Sequence, residues 1–260
     1  MLNDLFTLDG RVAIVTGAAG LLGRQHSRAL AQYGARLVLA DIDPEACHTL
    51  ASELGACAVP CDVTSKASWA SLVDKTIREH GRVDVLVNNA AFTNQSRSPS
   101  FSAPFLEVPL EDWQRILDVN LTGVFLGCQV VGRKMIEQGS GSIVNMASLY
   151  GVVSPNHRLY PGTGIVQPPA YSVSKAGVIA LTRYLATLWA AANVRVNSIT
   201  PGGVFNDHTD LFRERYNALC PAGRMATETE MQGALIYLAS DASRYCTGHN
   251  LVVDGGWTAW

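Results

Sequence analysis

The sequence predicts an α/β fold built on a doubly wound parallel sheet, and three observations carry the prediction. Short apolar runs alternate with helical patterns along the chain, as in sheets covered by helices on both faces. The first run, Val12-Ala13-Ile14-Val15, opens directly into a glycine turn, Gly17-Ala18-Ala19-Gly20-Leu21-Leu22-Gly23, and then a helix. The second run ends in an acid, Asp41, so strand, turn, helix, strand and carboxylate follow one another within about 30 residues. That is the dinucleotide-binding arrangement. The chain has 260 residues, which suits one domain over 1–260 with a large core.

Taken in order, strand 11–16 is apolar throughout, and the helix after the turn runs to about Tyr33, where Gly34 stops it. The glycines let the backbone approach a pyrophosphate, and the helix start offers it free N–H groups. Gly17, Gly20, Leu21, Leu22 and Gly23 are therefore candidate cofactor contacts. At the end of strand 36–40, Asp41 can accept hydrogen bonds from the adenosine ribose hydroxyls and would repel a 2′-phosphate. With no Arg or Lys inside the turn, NAD is expected over NADP. A competing role for Asp41 is a helix cap with Asp43 and Pro44.

Helix 44–54 leads to strand 56–60 and Cys61-Asp62-Val63-Thr64. Asp62 and Val63 are candidates for the adenine side, although Thr64 or Ser65 can cap the next helix, 65–80. Strand 83–87 closes on Asn88-Asn89-Ala90-Ala91, where Asn89 and Ala90 are expected beside the cofactor and the Asn side chains between strands. Residues 92–108 read as a surface connection flanking the substrate. A long helix follows to about Gln138, with Asn120, a poor helix former, inside it. Asn120 can satisfy a kinked backbone and hold a water near Lys175, or simply bond to itself. Strand 141–146 ends at Ala147-Ser148, and Ser148 emerges at the strand end where parallel sheets hold ligands. Residues 149–170 contain four prolines and should overhang the site, with His157 and Arg158 available to a polar or anionic group.

Helix 170–191 carries Tyr171 and Lys175, four residues apart and so on one face. A free phenol titrates near pH ~10, and lowering that to ~7 requires about 4 kcal/mol. One ammonium ~5 Å away supplies roughly 3 kcal/mol at an effective dielectric of ~20. A cationic cofactor ring can supply the rest, making Tyr171 a candidate acid/base. Strand 194–199 ends in Pro201-Gly202-Gly203-Val204, which places Pro201, Gly202 and Val204 at the nicotinamide. Residues 205–224 read as a mobile lid, 228–239 as a helix and 250–253 as the last strand. Trp257 and Trp260 are expected to be buried against another subunit, since exposing both is unfavourable.

Composition sets the boundaries. The chain is 48% hydrophobic and 16% charged, with formal net charge −2 and no long basic run, so no nucleic-acid surface is expected. No apolar run reaches ~18 residues, so no membrane span is expected. The N-terminus lacks the basic start and apolar core of a signal peptide. Six scattered cysteines fit free thiols in a reducing cytoplasm better than zinc or disulfides, and no metal is expected.

These residues in this order resemble the short-chain dehydrogenase/reductase family over nearly the whole chain. The resemblance rests on Thr16–Gly23, Asp62, Asn88-Asn89-Ala90, Asn120, Ser148, Tyr171-xxx-Lys175, Pro201-Gly202 and Val253-Asp254-Gly255-Gly256. It implies a Rossmann-like sheet of about seven parallel strands in three layers. It also implies NAD(P)-dependent interconversion of an alcohol and a carbonyl, and a homotetramer or homodimer. It makes Tyr171 the acid/base, Lys175 the group that lowers its pKa and binds the nicotinamide ribose, Ser148 the substrate-orienting hydroxyl and Asn120 a support for the proton relay. Three positions depart from the family pattern: Leu21 replaces a turn glycine, Ala91 stands where glycine is usual, and Ser148 and Tyr171 lie 23 residues apart instead of about a dozen. The expected substrate is a small polar molecule of the sugar-like kind. An apolar or aromatic ketone is the alternative, favoured by Phe92, Phe101, Phe105 and Leu159. A non-catalytic dinucleotide sensor would be expected to have lost Tyr171, Lys175 or Ser148, and all three are present.

Overall fold

The structure, a computed structural model, describes residues 2–93 and 103–260. Phe101 lies outside them. Seven strands, all parallel, form one sheet in the order β3-β2-β1-β4-β5-β6-β7. They are β1 (Val12–Thr16), β2 (Arg36–Asp41), β3 (Cys57–Pro60), β4 (Val85–Asn88), β5 (Gly141–Met146), β6 (Val194–Pro201) and β7 (Asn250–Val253). The direction of winding reverses between β1 and β4, so a crevice opens at their C-terminal ends.

Helices α1 (Leu2–Phe6), α2 (Leu21–Gln32), α3 (Pro44–Leu54), α4 (Lys66–His80), α5 (Leu110–Leu117), α6 (Gly123–Gln138), α7 (Pro169–Trp189), α8 (Asp210–Leu219) and α9 (Gln232–Ala239) surround the sheet. Alternation within β1 explains the three layers. Val12 and Ile14 point into a core shared with Trp69, Val131 and Val178 of α4, α6 and α7. Ala13 and Val15 point into a second core with Leu30, Leu50 and Leu235 of α2, α3 and α9. Both faces are therefore dry, which is why the strands read as unbroken apolar runs.

Three stretches differ from the sequence reading. The helix expected to run unbroken to Gln138 is interrupted by a wider π turn at Asp118–Thr122, and Asn120 lies within it, fully buried. The stretch expected to be a mobile lid contains α8, capped by the Thr209 side chain and anchored by buried Phe212 and Tyr216. Its apolar residues are four apart on one face, and the charged remainder masked that period. At the C-terminus, Trp257 is buried within its own chain, its ring 4.4 Å from that of Tyr216, whereas Trp260 is 81% exposed.

Candidate active site

A cavity of about 1250 Å³ runs along the C-terminal ends of the strands, from the glycine turn to the start of α7. Every catalytic and cofactor candidate named from the sequence lines it except Gly23 and Asn120.

At one end the turn is shaped for a close ligand. Gly17 has φ +60°, and a Cβ there would lie 2.7 Å from the Ala90 Cα. A Cβ on Gly23 would lie 2.0 Å from the Gly17 carbonyl, so Gly23 serves packing between turn and helix. Gly20 provides no capping side chain to α2, which leaves the positive end of that helix available to an anion. The two observations fit a dinucleotide pyrophosphate.

Asp41 does not cap α3; Asp43 does, accepting from the Ala46 N–H at 3.0 Å. The Asp41 carboxylate instead accepts from the Ala19 N–H at 2.8 Å and the Asp43 N–H at 3.0 Å, which fixes the turn against β2. Arg24, beyond the turn in sequence, folds back so that its Nε donates to the Ala19 carbonyl at 2.7 Å. The structure thus brings a cation to the Asp41 end of the cavity, whereas from the sequence Arg24 is discounted because it follows Gly23. Asp62 accepts from the Thr64 N–H and hydroxyl at 2.9 and 2.7 Å, and Ser65 takes the capping role at α4.

The middle of the cavity is braced by asparagines. Asn89 Nδ2 donates to the Thr16 and Gly17 carbonyls, both at 3.0 Å, and joins β4 to β1. Asn88 Nδ2 donates to Asn145 Oδ1 at 2.8 Å and joins β4 to β5. The sequence expectation that these side chains tie adjacent strands holds.

At the other end, Ser148, Tyr171 and Lys175 come together from β5 and α7. Lys175 is 3% exposed, and its Nζ donates to the Met146 carbonyl at 2.8 Å. Burial lowers its pKa to about 8. Nζ lies 5.7 Å from the centre of the Tyr171 ring. The sequence argument has this ammonium lowering the phenol. With the protein's own groups alone, burial raises Tyr171, while a hydrogen bond with the Ser148 side chain pulls it back. Loss of hydration thus pushes both groups toward their neutral forms.

Asn120 is one step removed. Its Oδ1 accepts from the Phe92 N–H at 2.6 Å and its Nδ2 donates to the Phe92 carbonyl at 3.0 Å. The side chain pins the segment after β4 to the π turn.

Reading the sequence did not identify the aromatic part of the cavity wall. Tyr150, Tyr160, Phe212 and Tyr216 all line the cavity. Tyr160 comes from the extra loop and the last two from α8. His157 lies on a neighbouring cavity of about 510 Å³, and Arg158 is exposed outside both. Leu159 is buried in a cluster with Phe212, and Phe105 is exposed. Among the described residues no group of three His, Cys, Asp or Glu is placed to hold a metal, and no helix is long and apolar enough to cross a membrane.

Comparison with known proteins agrees with this geometry. A family model described as enoyl-(acyl carrier protein) reductase matches residues 17–258. D-threitol dehydrogenase of Mycolicibacterium smegmatis is 39% identical, covering 97% of this chain and 95% of that protein. A 3-alpha-(or 20-beta)-hydroxysteroid dehydrogenase of Mycobacterium tuberculosis is 40% identical over 97% of this chain and 91% of its own. A solved gluconate 5-dehydrogenase of Burkholderia cenocepacia, in complex with NADP and tartrate, superposes with a TM-score of 0.89 at 31% identity, covering 100% of both chains.

Proposed function

The chain belongs to the short-chain dehydrogenase/reductase family, and from that premise we propose that it is an NAD-dependent dehydrogenase for a polar, polyol- or sugar-like alcohol, built as one domain over residues 1–260. As a member it is an oxidoreductase acting on CH–OH groups with a nicotinamide dinucleotide. The observation that carries the proposal is the convergence of Ser148, Tyr171 and Lys175 in one cavity with the glycine turn and Asp41.

The dinucleotide, when bound, supplies the hydride acceptor and, in its oxidised form, a positive ring charge. In this reading Tyr171 takes the proton of the substrate hydroxyl as the carbinol hydrogen leaves as hydride, and returns a proton to the oxygen in reduction. Ser148 holds the same oxygen. Lys175, anchored on the Met146 carbonyl, keeps a positive charge beside the phenol. Asn120 acts by holding the segment at Phe92. Pro201, Gly202 and Val204 line the nicotinamide end, and Gly17, Gly20, Leu21, Leu22, Asp62, Val63, Asn89 and Ala90 line the rest of the path. Asp41 favours NAD through its carboxylate. NADP is the rival cofactor, supported by the position of Arg24 and by the NADP named with the gluconate 5-dehydrogenase.

An apolar ketone is the second substrate reading, supported by the aromatic wall at Phe212 and Tyr216 and by the hydroxysteroid relative. We also infer self-association as a dimer or tetramer through the outer face of α6 and α7. There Phe125, Ile136, Tyr184 and Leu188 border a cavity of about 410 Å³ in water. Six unpaired cysteines support a cytoplasmic setting. The test is reduced-nicotinamide absorbance with NAD or NADP across polyols, sugar acids and steroid alcohols. NAD-linked turnover of polyols is expected, and turnover of the steroid alcohols alone would overturn the polar reading.

A further inference from the structure

We propose that the phenols of Tyr150 and Tyr160 form a recognition point for a second oxygen on the substrate, so that the enzyme prefers a polyol or hydroxyketone to a simple alcohol or ketone. The inference rests on the dehydrogenase reading above and names the chemistry its substrate must carry.

The two hydroxyls are hydrogen-bonded to each other and line the same cavity as Ser148 and Tyr171. Tyr150 stands two residues beyond Ser148, so the turn that presents one hydroxyl to the reacting oxygen presents a second beside it. Tyr160 arrives from the loop that lengthens the Ser148–Tyr171 interval.

Tyr160 is held there by contacts on every side. The Thr163 N–H and hydroxyl both donate to its carbonyl, at 3.0 and 2.7 Å. Arg215 of α8 donates to the carbonyls of its two neighbours, reaching Leu159 at 3.1 Å and Pro161 more closely. Leu159 is buried, and the Tyr160 ring rests against Phe212 with centroids 5.9 Å apart. A solvent-facing loop needs none of these contacts. Here they deliver one phenol to one place.

Hydrogen-bond counting then identifies the ligand. Each phenol has one proton and can also accept. One proton is used between the pair, which leaves one donor and the remaining lone pairs for the cavity. Burial keeps both phenols neutral, so the free proton stays available. A donor beside an acceptor suits an alcohol hydroxyl, which accepts from the one and donates to the other. A carbonyl or carboxylate oxygen would use only the donor, and Arg158 lies outside the cavity.

The test uses acetoin and butanone, which differ by one hydroxyl on the same carbon chain, with reduced dinucleotide and the full-length enzyme. Wild type is expected to favour acetoin in kcat/KM by about tenfold or more, the worth of one well-placed hydrogen bond to a substrate hydroxyl. Tyr160→Phe, which keeps the ring on Phe212, is expected to collapse that preference by raising KM for acetoin more than it lowers kcat. Tyr150→Phe should do the same, so the result does not depend on one variant folding. Equal losses on acetoin and butanone in both variants would overturn the recognition role in favour of a structural one. A wild type that prefers butanone would also overturn it while leaving the dehydrogenase reading intact. Failure to bind either dinucleotide in calorimetry would instead bring down the dehydrogenase reading, and this inference with it.

Discussion

Lys175 shows how one buried amine trades stability for chemistry. Its ordinary pKa of 10.5 is lowered to about 8 in the folded chain, a difference worth about 3 kcal/mol against folding at neutral pH. Below pH 8 the group is charged in both states and the cost is full. As pH rises toward 10.5 the folded chain gives up its proton first, and the cost fades. Lys175→Met is therefore expected to unfold at higher denaturant than wild type at pH 7, with the gap closing between pH 8 and 10.5, while turnover is lost. Denaturation curves across that range check it. At Tyr171, Tyr171→Phe removes the proposed proton carrier without changing the ring. Turnover should fall about 10²- to 10⁴-fold, with dinucleotide affinity in calorimetry within a few-fold of wild type. Tyr171, Lys175 and Ser148 were legible in the sequence because four-residue spacing and position after a strand both translate into geometry. The balance of charge and burial at the phenol was not, since it depends on which groups exclude water from it.

Among the elements, the π turn explains a residue that sequence reasoning could only question. Asn120 disfavours a regular helix, and the wider turn lets its amide satisfy both backbone groups of Phe92. Asn120→Ala would remove both hydrogen bonds to the Phe92 backbone, at about 1 to 3 kcal/mol for the two. A fall in Tm of roughly 2–12 °C is expected for a chain of this size, and differential scanning calorimetry would measure it. In the proposed reading the end of β2 carries the cofactor choice. Asp41→Ser removes the charge that disfavours a 2′-phosphate and leaves Arg24 in place. The NAD-to-NADP ratio of kcat/KM should fall at least about tenfold, the scale of one hydrogen bond to a charged group. Helix α8 was illegible because two buried aromatics four apart, Phe212 and Tyr216, are too few to show a period among charged neighbours. The contact of Arg24 with the turn was hidden for another reason: a side chain can return to a loop that its position has already left.

For the molecule as a whole, alternating apolar runs and a glycine turn made the layers and the sheet readable, because strands dry on both faces are predominantly apolar. Of the terminal tryptophans, Trp257 finds its cover in Tyr216 of the same chain, contrary to the expectation, whereas Trp260 is exposed on the single chain. Further apolar surface is exposed on α7, where Tyr184 is 65% and Leu188 57% exposed, and is the face proposed above for self-association. Leu188→Asp is expected to shift the assembly toward monomer in sedimentation velocity, since a carboxylate cannot be buried there unpaired. Helix α8 also stands astride the reaction chamber. The Tyr216 hydroxyl accepts from the Gly203 N–H at 2.7 Å, and Arg215 donates to the Leu159 carbonyl in the Tyr160 loop. Two separate walls thus hang on one post, so a substitution that displaces that helix would disturb both together.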